Sequence, residues 1–114
     1  MEIIEIFFPT FQVHGDQYIG GLLGANRGGT VDGSYATGNV TGNEGSAHIG
    51  GLLGLCENGD VNNSYSTGGV IGSWDVGGLV GYSWNGTVSN SYSIGGVAGD
   101  LTVGGLVGMN FEST

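Results

Sequence analysis

Few side chains in this sequence could move a proton or attack a substrate. Apart from ten carboxylates, the 114 residues include two histidines, His14 and His48, and one cysteine, Cys56. Catalysis by proton transfer or nucleophilic attack needs a base beside a nucleophile. One pairing offers itself. The repeat spacing set out below places His48 one unit before Asp75, in a chain with many serines, so an orienting His–Asp pair for a hydrolase can be drawn. A surface ion pair explains the same two residues equally well, and they fall where the repeats vary in length. The expectation is therefore no enzyme, no catalytic residues and no cofactor. Cys56 has no second cysteine, which excludes an internal disulfide and a cysteine-based metal site by counting. Calcium is the metal with the most ligands on offer. Yet Asp16, Asp32, Glu44, Glu57, Asp60, Asp75, Asp100 and Glu112 are scattered, and the Gly-Gly-x-Gly-x-Asp nonapeptide of calcium-binding rolls is absent. No metal ligand set is expected.

Composition narrows the partners. One Arg against ten carboxylates gives a net charge of −9, so a surface that coats nucleic-acid phosphates cannot be built. Hydrophobic content of 39% argues for a folded chain rather than an acidic disordered tail. The 27 glycines do not recur every third residue, which excludes collagen. No apolar run approaches the roughly 18 residues of a membrane helix. The opening Met1–Pro9 carries Glu2 and Glu5 where a secretory signal needs positive charge, so it does not read as a signal peptide.

The elements that would position any site are repeats. Ile19-Gly20-Gly21-Leu22-Leu23-Gly24 returns at 49–54, 76–81 and 103–108, at spacings of 30, 27 and 27. Ser34-Tyr35-Ala36-Thr37-Gly38 returns at 64–68 and 91–95, in step with the first marker. Within each unit, short β-branched or aromatic runs are separated by Gly, Asn, Asp and Ser, which reads as strand and turn. The spacing and pattern predict an all-β fold: a parallel β-solenoid of about four coils with 27–30 residues each, right-handed by the preference of parallel crossovers. Three short strands are expected in the first coil, near 19–23, 30–36 and 39–42. Equivalent positions then stack as columns: Val31, Val61 and Val88; Val40, Val70 and Val97; Leu22, Leu52, Leu79 and Leu106. Tyr35, Tyr65 and Tyr92 form a further column, inside or lining an apolar edge. Gly33, Asn63 and Asn90 mark a bend whose amides can bond along the stack. The three extra residues of the first unit, between Asn43 and His48, belong in a surface turn. Residues 1–18 stand apart from the repeats at 19–48, 49–75, 76–102 and the partial 103–114.

These residues resemble the GLUG repeat. The Gly-Leu-x-Gly core is seen at Gly21–Gly24, Gly51–Gly54, Gly78–Gly81 and Gly105–Gly108, and the accompanying Gly-Thr-Val-x-x-Ser-Tyr-x-Thr-Gly at Gly29–Gly38. The resemblance implies a β-helical accessory module of bacterial or archaeal surface proteins, including adhesin-like chains, and hence an extracellular or cell-surface location. It carries no catalytic residues to transfer.

Two binding roles remain to be weighed. A glycan could be held by the turn aromatics Trp74, Tyr82 and Trp84, although Tyr82 stacks between Leu55 and Met109 and is equally explained by packing. Arg27 aligns with Glu57 and then Trp84, which suggests a salt bridge between coils. Ice binding by a threonine ladder fails, because Thr37 and Thr67 are followed by Ile94, Thr30 by Asp60, and Thr41 by Ile71. Three glycosylation sequons, at Asn39, Asn62 and Asn85, are expected by chance in an Asn-rich repeat.

A solenoid must also deal with the unpaired edges of its terminal coils. The last unit has 12 residues and the N-terminal segment 18, which together make the 30 of the first unit. Ile4, Ile6, Phe8 and Phe11 of one copy could complete the coil of another at Val107, Met109 and Phe111, giving a head-to-tail, non-closing self-association, that is, a filament. The alternatives are a monomeric module, in which the N-terminal strand covers its own first coil, and an excised piece of a longer array.

Overall fold

The computed structural model describes residues 3–4 and 13–114. Its short β-branched runs, broken by Gly, Asn and Ser, form strands wherever the sequence alternates between them. The first two coils contain β1 (Ile3–Ile4), β2 (Val13–Gly20), β3 (Leu23–Arg27), β4 (Thr30–Asp32), β5 (Tyr35–Ala36), β6 (Val40–Gly50) and β7 (Leu53–Glu57). Then follow β8 (Asp60–Asn62), β9 (Tyr65–Ser66), β10 (Val70–Ile71), β11 (Trp74–Gly77) and β12 (Val80–Trp84). The last coil has β13 (Thr87–Ser89), β14 (Tyr92–Ser93), β15 (Val97–Ala98), β16 (Leu101–Gly104) and β17 (Val107–Phe111).

These strands stack into four parallel sheets that wrap a narrow interior. One sheet runs β1-β4-β8-β13, a second β3-β7-β12-β17 and a third β5-β9-β14. The fourth joins β2, β6, β10 with β11, and β15 with β16. The fold is thus an all-strand parallel β-solenoid of about four turns, and the columns read from the sequence are its register. Val31 pairs with Val61 and Val61 with Val88, while Val40 pairs with Val70 and Val70 with Val97. Val31, Val61, Val40 and Val70 are fully buried, as are Leu52 and Leu79.

Glycines of the Gly-Gly-Leu-x-Gly motif permit the bend between the second and fourth sheets. A Cβ on Gly50 would overlap the carbonyl oxygen of Leu53, and one on Gly77 that of Val80. The bend is too tight for any side chain there. It swings Leu52 and Leu79 into the core. Other corners use left-handed backbone, and most of them do so without glycine. Gly28, Asn58, Asn85 and Glu112 form one such column, with φ between 50° and 79°. Gly33, Asn63 and Asn90 form a second, which places the bend of the Asn column at that residue. Asn and Asp side chains tolerate this region by bonding locally, and here they bond between coils: Asn63 Nδ2 donates to Asp32 Oδ1 at 2.9 Å and Asn85 Nδ2 to Asn58 Oδ1 at 2.7 Å.

The Ser of each Ser-Tyr pair bonds along the stack, buried at Ser34 and Ser64 and half-buried at Ser91. Ser64 Oγ accepts from the Ser34 amide and donates to the Asn62 carbonyl, and Ser91 repeats this with Ser64 and Ser89. The tyrosines next to them point outward. Their rings stack at 5.0 Å with planes 3° apart, a distance set by the spacing of the strands that carry them. They run from half-buried Tyr35 and Tyr65 to exposed Tyr92, so the column lines the outside and not the interior.

Three other expectations are corrected. The strand expected at 19–23 is split by the glycine bend, and the chain resumes as β3, which continues to Arg27. The stretch expected at 30–36 is two strands separated by the left-handed Gly33. The extra residues of the first unit do not form a turn between strands. They bulge from within the long β6, where Thr41 still pairs with Ile71 and Ala47 with Trp74. The Gly45 amide closes the bulge on Ser73 Oγ, and the Ser73 amide donates to Ser46 Oγ.

The described part of the N-terminal segment lies on its own first coil. Ile3 and Ile4 pair with Thr30 and Val31, and Val13–Gly15 with Val40–Gly42. One edge of β1 is therefore occupied within the chain. Ile6, Phe8 and Phe11 lie outside the described residues.

The glycine bend yields a direct test. Gly77→Ala should destabilise the fold by roughly 3 kcal/mol or more, because backbone must move to admit the methyl group. Gly96→Ala, where a Cβ meets nothing within 4 Å, should change stability by less than about 0.5 kcal/mol. Urea unfolding followed by circular dichroism measures both.

Candidate functional site

The residues with chemistry gather on one outward corner. Along β3, β7, β12 and β17, alternate side chains face outward and stack as two columns. One is Ala25, Leu55, Tyr82 and Met109; the other is Arg27, Glu57, Trp84 and Phe111. A third left-handed corner column faces them, formed by Tyr18, His48, Asp75 and Thr102 with φ between 50° and 60°. Between the columns lies an open groove of about 310 Å³, lined by Tyr18, Arg27, His48, Leu55, Glu57, Tyr82 and Trp84.

Each wall residue is held by a neighbour. The imidazole of His48 stacks on the Tyr18 ring at 5.2 Å and meets the Tyr82 ring edge-on at 5.1 Å. Its Nδ1 lies 3.0 Å from Asp75 Oδ2. The separation suits an ion pair with protonated imidazole, but the contact lacks the alignment of a hydrogen bond. Asp75 is itself fixed from the next coil, where the Thr102 hydroxyl donates to Asp75 Oδ1 and accepts from the Asp75 amide at 3.0 Å. Arg27 Nε donates to Glu57 Oε2 at 3.0 Å, and the guanidinium carbon sits 5.6 Å from the centre of the Tyr18 ring. With the Arg27 side chain 60% exposed, that pair is worth no more than about 1 kcal/mol. Both partners line the groove.

The column alignment thus places Arg27 against Glu57 and His48 against Asp75. Of the aromatics singled out for glycan contact, Tyr82 and Trp84 meet in the groove. Trp74 pairs with Ala47 and Leu101 in a different sheet, half exposed, and does not line it. His48 does not sit in a variable turn but at a regular corner just after the bulge. Sequence reasoning missed Tyr18, because it lies ahead of the recognised motif. The signal was present: Tyr18, His48 and Asp75 each precede an Ile or Val followed by Gly. Among the described residues, no three of His, Cys, Asp and Glu come together as a metal site. Of the residues considered for assembly, Val107 packs against the core, Met109 is half-buried and Phe111 is exposed.

The family model for the GLUG motif matches at residues 15–41 and again at 72–98. The two matches each cover a glycine bend or the coil that flanks it, so the resemblance seen in the sequence is borne out. No curated protein and no solved structure matches the chain.

Cys56 lies on the inward side of the same strand as Leu55 and Glu57, in a column with Asn26 and Ser83. It is fully buried. Burial, and secondarily the Asp60 carboxylate, push its thiol from the ordinary 9.0 up to about 11. The thiolate is disfavoured in the folded chain, so folding binds the proton more tightly than unfolding does. The resulting stability, at most roughly 2–3 kcal/mol, is fully present below pH 9 and is lost as pH rises through 11. Cys56→Ala should flatten the fall of the urea midpoint across that window. At pH 8 the folded wild type should react with an aromatic disulfide reagent at least ~100-fold more slowly than the urea-unfolded chain.

Proposed function

We propose that this chain of GLUG repeats is a non-catalytic structural module of an extracellular, adhesin-like surface protein, and that its coils stack end to end on coils of a second copy. The observation that carries the reading is the unbroken register. Each sheet continues from coil to coil in parallel pairing, so each coil presents the same backbone edge that the one before it has just covered. Side-chain burial follows the same logic. Leu52 and Leu79 are fully covered, whereas Leu106 of the last coil is 38% exposed and Val103 44%. A further coil of the same kind fits those positions, with one edge of β1 already held by β4. The net charge of −9 opposes close approach of copies, but screening beyond about 10 Å at 0.1 M salt weakens the repulsion. The His48–Asp75 pair supports the non-catalytic reading, because the imidazole is committed to two aromatic rings.

A second reading is favoured by one specific feature, the groove. Tyr82 and Trp84 converge there beside the Arg27–Glu57 pair, an arrangement of aromatic faces and polar edges that suits a glycan.

Electron microscopy of the pure protein, with sedimentation velocity across a concentration series, tests assembly. End-to-end particles are expected from the intact chain and only short ones after deletion of residues 1–18. Monodisperse monomers of the intact chain at high concentration would overturn the assembly reading.

A further inference from the structure

The groove has a more particular chemistry than an aromatic patch. Its floor is Leu55 and Tyr82, its rim Trp84 with the Arg27–Glu57 pair, and its wall Tyr18 and His48. A site of about 310 Å³ is at the lower end of small-molecule sites, which suits one or two sugar rings. Three aromatic rings and a carboxylate attract a cation, as in the usual cage for a quaternary ammonium. That position is already filled from within, because the Arg27 guanidinium lies over Tyr18 and bonds Glu57 Oε2. An anion fares worse. The chain has a single Arg and no Lys, and that Arg is already bonded to Glu57, while His48 lies against the Asp75 carboxylate in a protein of net charge −9. What remains is an apolar ring surface on Trp84 and Tyr82, flanked by hydrogen-bonding edges on Glu57, Arg27 and His48. A neutral pyranose has the matching form, with a face of C–H groups and a rim of hydroxyls.

We propose that this corner groove is a binding site for neutral hexopyranosides, with Trp84 and Tyr82 as the stacking platform and the Arg27–Glu57 pair as the hydroxyl-binding rim. The assignment rests on the glycan reading above and sharpens it. Trp84, 41% exposed, presents its ring to the sugar. Glu57 supplies the acceptor and, by its charge, rejects uronic and sialic acids.

The experiment uses the full chain with Trp74→Phe, which leaves Trp84 as the single tryptophan. Its fluorescence is titrated with methyl hexosides and neutral disaccharides, with glucuronate and sialic acid, and with choline. Saturable change with the neutral sugars at millimolar Kd is expected, the range for small ligands on an open site. Glucuronate, sialic acid and choline should bind at least ~10-fold more weakly. Calorimetry on the Trp74-containing chain should show binding reduced at least ~10-fold by Trp84→Ala and less by Trp84→Phe, with unchanged circular dichroism. Glu57→Gln should narrow the preference for neutral over acidic sugars. If no sugar binds up to ~50 mM, the glycan reading itself fails. Sugar binding that survives Trp84→Ala, or that disappears with Trp74→Phe, leaves the glycan reading standing and overturns the groove. Equal or tighter binding of glucuronate or choline overturns the neutral-sugar assignment.

Discussion

Everything in this molecule hangs on hydrogen bonds between equivalent backbone positions of successive coils. The Leu22 amide donates to the Leu52 carbonyl, Leu52 to Leu79, and Leu79 to Leu106, at 3.0, 2.9 and 2.9 Å. The second glycines behave alike: Gly21 donates to Gly51, and Gly51 to Gly78. Once these bonds are made, each side chain lies directly against its counterparts in the coils above and below. The sequence must then satisfy each column as a unit. Columns that point inward become valine and leucine, with a Cβ-free column at the bend. Buried polar columns are acceptable only when their members serve one another, as Ser34, Ser64 and Ser91 do, because an unpaired buried group costs about 1–3 kcal/mol.

The same constraint makes much of the fold legible in the sequence. Val31, Val40 and Leu22 recur at the interval of the glycine motif, and a periodic sequence in a one-dimensional stack leaves little freedom about which residues touch. The pairing of Arg27 with Glu57 and of His48 with Asp75 followed by counting alone. Strand boundaries did not follow, because a left-handed corner can be made by residues that carry no turn signature. Tyr18, His48, Asp75 and Thr102 share a φ between 50° and 60°, yet only some of these side chains favour it intrinsically. What holds that corner is the next coil, through bonds such as Thr102 to Asp75, and such bonds are invisible in a single window of sequence. The bulge at Asn43–Ser46 was misplaced for a related reason. Extra residues are tolerated wherever the ladder on either side is strong enough to resume, which here is inside a strand.

Inward and outward columns are under different demands. An inward residue contacts the interior on every side, and its volume is fixed by the coils above and below. An outward residue is constrained mainly by the strand spacing. The Tyr35–Tyr65–Tyr92 stack shows the weaker constraint in use, since rings 5.0 Å apart are stabilising yet remain partly in water. The column of Arg27, Glu57, Trp84 and Phe111 goes further, with four residue types at one structural position. Nothing in the core requires any of them.

That heterogeneity is what the proposed binding role of the corner draws on. A uniform column offers a ligand the same surface at each coil, and so no preferred seat along the axis. Where Arg27 gives way to Glu57 and then to Trp84, one level supplies a donor, the next an acceptor and the third a ring, and the stack spacing fixes their separations without any loop to order. The wall residues vary in the same way, from Tyr18 to His48 to Asp75. A groove therefore forms between two columns whose members differ, on a backbone that does not. Rigidity comes from the repeat, and only its departures differ from coil to coil, so the residues least explained by the fold are the ones in which a binding role is best sought.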